Sequence, residues 1–263
     1  MEARDRIIVA LDVPTLARAT SVVRRLAGRV GGFKVGLELL TAEGAPAVVK
    51  AIHDLGGRVF FDGKFADIPN TISGAVRSVA SMGVWMFDVH ASAGPAAIAA
   101  AAAERGTSIL LAVTVLTSLD DAAARAVFGA PARDKVLDFA RMAVRLGAGG
   151  IVCSPQELPV IRADPALAGV VTVVPGVRPA WASTGDQARV ATPTEAVRAG
   201  ATHMVIGRPI LMPPAQVGTP EAAVDRIVAE IVHATSAPPP PSEPPVRPSG
   251  TRRVSSPMPR TGT

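Results

Sequence analysis

Short runs of aliphatic, β-branched and aromatic residues recur along most of the chain. The eight runs span residues 7–11, 33–37, 59–62, 85–89, 109–114, 150–153, 170–174 and 203–206. The segments between them are rich in alanine and place apolar residues three or four positions apart, as at Val48, Ile52 and Leu55. This is the spacing of a helix with one buried face. The pattern therefore predicts β-strands that alternate with α-helices.

Several of the predicted strands, such as 7–11 and 170–174, are almost uniformly apolar rather than apolar at every second position. Burial on both faces is typical of a parallel sheet covered by helices. Eight β/α units in about 230 residues match a (β/α)8 TIM barrel, and no G-x-G-x-x-G sequence opens the first unit to favour an open dinucleotide-binding sheet. The long gap between the fifth and sixth strands predicts a short helix over 120–127 and a main helix over 134–146.

Composition sets residues 236–263 apart from the rest. Nine of the 24 prolines lie there among serines and threonines, so we predict an α/β barrel domain over 1–235 and a disordered tail over 236–263. Four arginines and one glutamate give the tail a charge of +3, which leaves +2 of the total +5 for the barrel. A nearly neutral barrel in a chain with 3% aromatic residues does not favour nucleic acid as a partner.

Cysteine usage and hydropathy bear on the compartment. Cys153 is the sole cysteine and cannot form an internal disulfide. The residues before the first strand lack a signal-peptide core, and no run of about 18 apolar residues is present. We therefore expect a cytoplasmic protein without a membrane span.

Polar residues appear where the predicted strands end. Asp12 follows the first strand, Lys34 lies in the second, Asp62 and Lys64 end the third, and Asp88 lies in the fourth. In a TIM barrel, the carboxyl ends of the strands surround the active site. These side chains are therefore expected to converge on one mouth of the barrel.

The densest polar cluster, residues 62–71, reads D-G-K-F-A-D-I-P-N-T. Asp62 and Lys64 would point the same way from an extended or turning backbone, so an ammonium group would lie beside a carboxylate where a proton could be transferred. The alternative is a charged loop in which Asn70 or Thr71 caps the following helix.

A second cluster follows the last two strands. Gly176 and Arg178 come after the seventh strand, and Gly207 and Arg208 come after the eighth. These are the loops in which barrels often bind phosphate. Glycine allows close backbone approach, and arginine makes charge-assisted hydrogen bonds to phosphate oxygens. The cluster predicts a phosphate ligand, with two structural glycine–arginine turns as the alternative.

Five motifs together resemble the orotidine 5′-phosphate decarboxylase family. They are I-V-A-L-D at 8–12, F-K-V-G at 33–36, F-D-G-K-F-A-D-I-P-N-T at 61–71, P-G-V-R at 175–178 and I-G-R-P-I at 206–210. The resemblance implies a TIM barrel that decarboxylates orotidine 5′-phosphate to uridine 5′-phosphate in pyrimidine synthesis, without a metal or another cofactor. The absence of tyrosine and the proline-rich extension are not explained by it.

The resemblance also implies the catalytic residues. Lys64 would donate the proton to C6 of the pyrimidine, Asp62 would lie beside the departing carboxylate, and Lys34 would tie this network to the ribose. Asp67 would enter the site of the neighbouring subunit, which implies a functional homodimer.

The residues that the resemblance assigns to substrate binding come from most of the barrel's loops. They are Asp12, Lys34, Asp62, Ile68, Thr71, Thr117, Ser154, Arg178, Gln187, Gly207 and Arg208. Asp12 would bind ribose hydroxyls, Thr117 would lie near the ribose or the partner-derived part of the site, and Ser154 would lie near the base. Gln187 would hold the phosphate together with the glycine–arginine loops.

Two alternatives stay open. Metal-dependent sugar-phosphate decarboxylases and aldolases of the same superfamily share the D-x-K-x-x-D spacing, but they bind Mg²⁺ through an acidic residue on the second strand, where this chain has Lys34. The four histidines also lack the paired spacing of metal ligands. A barrel that only binds nucleotides or nucleic acid is the other alternative.

Overall fold

The computed structural model describes residues 1–182 and 190–236 and contains a closed barrel of eight parallel strands in the order β1 to β8. The strands are β1 Ile7–Ala10, β2 Gly32–Val35, β3 Val59–Phe65, β4 Met86–His90, β5 Ile109–Val113, β6 Gly150–Val152, β7 Val171–Val174 and β8 His203–Ile206. The barrel closes where β1 pairs with β8, with Ile8 opposite Val205. The TIM barrel expected from the sequence is confirmed.

Helices surround the barrel. They are α1 Leu16–Leu26, α2 Leu37–Glu43, α3 Ala45–Asp54, α4 Pro69–Ser81, α5 Pro95–Glu104, α6 Asp121–Phe128, α7 Ala132–Arg145, α8 Leu158–Ala163, α9 Pro193–Arg198, α10 Arg208–Leu211 and α11 Pro220–Ser236. Short 3₁₀ turns at Arg4–Arg6, Ala91–Ala93 and Pro155–Glu157 complete the connections. No helix in the described ranges has both the length and the apolar character needed to cross a membrane.

Local capping residues define several helix ends. The side chain of Thr15 accepts a hydrogen bond from Arg18 N at the start of α1, and Asp120 does the same for Ala123 N at the start of α6. Gly129 ends α6 in the left-handed conformation, which glycine adopts without steric cost. These residues define the ends of α1 and α6, which lie in the connections that follow β1 and β5.

Side-chain alternation divides the core into two layers. The barrel interior is filled by one apolar layer of Ile8, Ala10, Phe60, Met86, Leu111, Val173 and Val205. Neighbouring strand residues such as Ile7, Phe61 and Phe87 face outward and pack in the larger cluster shared with the helices. Because successive residues of a strand point to opposite faces, the next inward positions after this apolar layer lie at the mouth.

The eight strands, the short helix near 120–127 and the main helix near 134–146 agree with the sequence prediction. Extension of the second strand to Leu37 was wrong, because Gly36 caps α2 and Leu37 is its first residue. The final helix runs through Ser236, one residue beyond the proposed domain boundary. The predicted tail beyond it lies outside the described residues.

Candidate active site

The inward positions of the first four strands change from apolar to charged at the carboxyl end of the barrel. On β3, Phe60 belongs to the interior layer and Asp62 is the next inward residue. On β4, Met86 and Asp88 stand in the same relation. Lys34 lies on the inward face of β2, whose neighbouring residues face the helices. The alternation that builds the core therefore also brings these charged groups together.

A bulge in β3 determines the position of Lys64. Phe61 pairs with Phe87, whereas Phe65 pairs with Val89, so β3 has two more residues than β4 between these pairs. Lys64 lies in this excess segment with φ of 51°. It is the sole non-glycine residue with positive φ among those that the structure describes. The bulge turns Lys64 toward the side chains of Asp62 and Asp88, so Lys64 and Lys34 share the Asp62 carboxylate.

Lysines and aspartates alternate across the mouth. Lys34 Nζ lies 3.0 Å from Asp12 Oδ1 and 3.0 Å from Asp62 Oδ2. Lys64 Nζ donates a hydrogen bond to Asp62 Oδ1 and lies 3.4 Å from Asp88 Oδ2. Asp62 therefore bridges the two ammonium groups, and the chain of charges runs from Asp12 to Asp88 over four strands.

These contacts decide the charge states. Burial alone would lower the pKa of Lys34 and Lys64, but neighbouring carboxylates outweigh it and raise both pKa values. Burial would raise the pKa of Asp62, yet its hydrogen bond with Asp88 and the two ammonium groups lower it. Burial and the adjacent Asp62 carboxylate raise the pKa of Asp88 well above its usual range. The surroundings of the network thus favour the charged forms of Lys34, Lys64 and Asp62, and they shift Asp88 toward its neutral form.

The network lies in one wall of a cavity of about 610 Å³, a size typical of small-molecule sites. Gly176 and Arg178 line the cavity from the loop after β7, and Gly207 and Arg208 line it from the end of β8. Gly176 has φ of 76°, a backbone conformation that residues other than glycine rarely adopt. The cavity therefore has the lysine–aspartate network in one part of its lining and a glycine–arginine cluster in another.

Most of the substrate-binding residues named from the sequence line this cavity. Those that do so are Asp12, Lys34, Asp62, Thr117, Arg178, Gly207 and Arg208, together with Lys64. Ser154 is fully buried, and its side chain accepts a hydrogen bond from Gln156 N in the following turn. Its neighbour Cys153, rather than Ser154, lines the cavity. Gln187 lies outside the described residues.

The second half of the D-G-K-F-A-D-I-P-N-T segment faces outward. Asp67, Ile68 and Thr71 are exposed and do not belong to the cavity lining within the chain described. Helix α4 begins at Pro69, and Ile68 precedes it without a side-chain capping bond. The alternative in which Asn70 or Thr71 caps this helix is therefore wrong.

Two residues at the site were assigned no catalytic or binding role from the sequence. Asp88 was expected at the mouth, and the structure adds that it contacts both the backbone and the ammonium group of Lys64. Arg18 lines the cavity from α1, and a single arginine on a helix surface gives no signal that separates it from a solvated charge.

The geometry of the acidic side chains bears on metal ligation. Within residues 1–182 and 190–236, no group of three or more His, Cys, Asp or Glu side chains is arranged to hold a metal ion. Lys34 and Lys64 instead lie between the carboxylates.

Comparison with known proteins gives closely similar sequences and structures. A decarboxylase of orotidine 5′-phosphate from Anaeromyxobacter sp. (strain K) is 52% identical over 231 residues, covering 87% of this chain and 99% of the relative. The enzyme of the same name from Moorella thermoacetica is 48% identical over 242 residues, covering 88% and 94%. The crystal structure of orotidine 5′-phosphate decarboxylase from Lactobacillus acidophilus superposes with a TM-score of 0.72 at 30% identity, covering 86% of this chain and 98% of that one.

A family model described as orotidine 5′-phosphate decarboxylase / HUMPS family matches residues 5–227. Because this match covers most of the chain and the relatives align over nearly their whole length, the chain belongs to the orotidine 5′-phosphate decarboxylase / HUMPS family.

Proposed function

We propose that this protein is a carbon–carbon lyase that decarboxylates orotidine 5′-phosphate to uridine 5′-phosphate and CO2 in pyrimidine nucleotide synthesis. The observation that carries the proposal is the alternating series Asp12–Lys34–Asp62–Lys64 in a cavity that also contains a glycine–arginine cluster. Family membership and the names of the similar enzymes support the same reaction.

The chemistry requires a cation next to the reacting carbon. When the bond between C6 and the carboxylate carbon breaks, CO2 leaves and the electron pair stays on C6. An ammonium group beside C6 stabilises this developing negative charge and then transfers a proton to it. Lys64 suits both tasks, because Asp62 and Asp88 raise its pKa and keep it protonated at neutral pH. Solvent would restore its proton after each turnover.

The remaining charges would orient the nucleotide. Asp12 and Lys34 offer a carboxylate and an ammonium group to the ribose hydroxyls, and their 3.0 Å contact fixes their relative positions. Asp62 would lie beside the carboxylate that leaves. Because the ion pairs with Asp62 hold both ammonium groups in place, little reorganisation is needed when charge develops at C6.

Arg178 and Arg208 would bind the phosphate with the backbone of Gly176 and Gly207, and Gln187 is proposed to join them. The arginines line the same cavity as Lys64, and their guanidinium groups match phosphate geometry. Contacts to a phosphate remote from C6 would use binding energy to hold the pyrimidine against Lys64. Thr117 is proposed to contact the ribose, and Ser154 is proposed to lie near the base.

We also propose a homodimer in which Asp67 completes the partner's site. Asp67, Ile68 and Thr71 lie on an exposed segment directly after the catalytic strand β3. Ile68 is a large apolar side chain with 66% of its surface exposed, and in the proposed dimer a partner subunit would cover it. Asp67, beside it, would then reach the second cavity.

The reaction is tested by following the ultraviolet absorbance of orotidine 5′-phosphate with the wild-type protein in EDTA. Lys64→Ala should lower turnover by at least about 10⁴-fold, because proton transfer and charge stabilisation are both lost, yet uridine 5′-phosphate should still bind. Lys50→Ala is the matched control, since Lys50 pairs with Asp54 on the surface of α3. Near-normal turnover by Lys64→Ala would contradict its role.

The shared site is tested by mixing two inactive variants, Lys64→Ala and Asp67→Asn. In a mixed dimer, one site would carry both substitutions and the other would carry neither. Random exchange of subunits should therefore restore about a quarter of the wild-type activity. Mixtures that stay as inactive as the separate variants, although mass spectrometry shows mixed dimers, would contradict the contribution of Asp67 to the partner.

The same assays discriminate the alternatives. A metal-dependent sugar-phosphate lyase would lose activity in EDTA, whereas the proposed reaction relies on Lys64 for charge stabilisation. A barrel that only binds nucleotides would bind uridine 5′-phosphate without converting the substrate. The cytoplasmic location and the domain limit at residue 235 stay predictions from the sequence.

A further inference from the structure

Asp88 is a buried carboxyl group beside the bulge in β3 that contains Lys64, called here the catalytic bulge. The decarboxylation chemistry does not specify a role for Asp88. Its side chain has no exposed surface, and it lies on the inward face of β4 above Met86. Its neighbours in the strand, Phe87 and Val89, pack outward in the core. A carboxyl group at such a position is costly unless it forms specific hydrogen bonds.

Those hydrogen bonds are made to the bulge. Lys64 N donates to Asp88 Oδ1 at 2.8 Å, and Lys64 Nζ lies 3.4 Å from Asp88 Oδ2. Lys64 lies between Phe61 and Phe65, the residues of β3 that bracket the irregular pairing with β4. Asp88 Oδ1 thus accepts the hydrogen bond of a Lys64 N–H in the part of the strand where the regular pairing is interrupted.

The bond also bears on the backbone conformation of Lys64. Its φ of 51° lies in the left-handed region, which is unfavourable for a lysine unless surrounding contacts maintain it. A change of this φ would swing the whole side chain away from Asp62. The hydrogen bond that Lys64 N donates to the fully buried Asp88 therefore bears on the direction of the ammonium group.

We propose that Asp88 is a positioning residue that holds Lys64 in its left-handed conformation and thereby aims the ammonium group at the reacting carbon. This inference rests on the proposed function of Lys64 as the proton donor. Asp88 acts through Lys64 and is not itself assigned a contact with the substrate.

The contacts of Asp88 predict which substitution preserves this role. Oδ1 of Asp88 accepts the hydrogen bond from Lys64 N, and burial together with the Asp62 carboxylate raises the pKa of Asp88, which favours a carboxyl group that donates a hydrogen bond to Asp62. An asparagine side chain keeps the acceptor for Lys64 N and offers an N–H donor to Asp62, and it loses only the 3.4 Å contact of Oδ2 with Lys64 Nζ. Asp88→Asn should therefore retain the geometry of Lys64, whereas Asp88→Ala should lose it.

The experiment compares both variants in two measurements. The first is hydrogen–deuterium exchange of a peptide that contains residues 61–65, which reports the Lys64 N–H bond independently of catalysis. The second is kcat for orotidine 5′-phosphate together with the Kd of uridine 5′-phosphate. Asp88→Ala should exchange faster and lose at least about 100-fold in kcat, with Kd within about threefold of the wild type. Asp88→Asn should resemble the wild type in all three quantities.

Thr172→Val is the matched control, because Thr172 is also fully buried and hydrogen-bonded, near the amino end of β7. It should leave exchange at 61–65 and kcat unchanged.

The inference is overturned if Asp88→Ala keeps kcat within about threefold of wild type, or if Asp88→Asn loses as much turnover as Asp88→Ala. If Asp88→Ala does not fold, Asp88→Asn decides alone: normal exchange and turnover support the inference, and loss of either overturns it. Absence of turnover in the wild-type protein would instead refute the proposed function, while the exchange data would still test the Asp88 bond.

Discussion

Gly63 should be intolerant of even one added methyl group, because the catalytic bulge folds tightly against two aromatic rings. A Cβ atom at position 63 would lie 2.6 Å from Phe61 Cε1, 3.1 Å from Phe61 Cδ1 and 3.3 Å from Phe65 Cε1. Phe61 is 5% exposed and packs in the outer core, so its ring has little room to retreat. Gly63→Ala must therefore move the ring or the bulge.

The expected cost follows from this overlap. Adding a methyl group to a packed core costs about 1 to 3 kcal/mol, and in a domain of this size that corresponds to a decrease of roughly 2 to 12 °C in Tm. The effect on activity should be larger, since Lys64 is the next residue and its ammonium group depends on the bulge. A displacement of 1 Å at a reacting group can lower the rate by about 100-fold.

Thermal unfolding and the ultraviolet decarboxylation assay measure these two effects. Gly169→Ala is the matched control, because a Cβ at position 169 would meet no atom within 4 Å and the substitution also lowers the entropy of the unfolded chain. It should leave activity unchanged and keep or slightly raise the Tm. Equal Tm and equal turnover of Gly63→Ala and Gly169→Ala would refute tight packing around Gly63.

Two further predictions concern buried groups elsewhere in the barrel. His203 is 5% exposed and donates a hydrogen bond through Nδ1 to the Asp5 carbonyl oxygen. Burial lowers the pKa of His203 to about 4. Between about pH 6.5 and pH 4, this histidine is therefore protonated in the unfolded chain but mostly neutral in the folded chain. The wild type should consequently lose roughly 3 kcal/mol more stability than His203→Gln between pH 6.5 and 4, measured by urea unfolding, and equal pH dependence of the two proteins would contradict this. Cys153 borders the cavity but is only 1% exposed, and burial raises its pKa. Iodoacetamide at pH 8 should therefore label it only after denaturation, and rapid labelling of the folded protein would show that the thiol is accessible.

The sequence was sufficient to predict the barrel because the signal is repeated eight times. Each strand must bury both faces, so its apolar run is visible without knowledge of its neighbours. The charged mouth was also predictable in part, since Asp12, Lys34, Asp62 and Lys64 follow directly from the rule that the active site lies at the carboxyl ends of barrel strands.

The bulge was not predictable in the same way. The predicted strand 59–62 ended before the bulge, so the excess of two residues in β3 relative to β4 was not predicted. The Lys64 N–H in the bulge donates its hydrogen bond to Asp88, which is 24 residues away in sequence. A lone aspartate in an apolar strand suggests a buried polar role, but its partner is determined by strand register.

The geometry at this register links the stability of the barrel to the arrangement of the site. Phe60 and Met86 pair across β3 and β4 in the interior apolar layer, and Asp62 and Asp88 occupy the next inward positions on the same two strands. Tight packing in the first layer fixes the register of the second, because a slip of one residue would exchange the inward and outward side chains. The charges at the mouth are therefore held in place by the apolar layer beneath them, which can supply the rigidity that a preorganised ammonium group requires.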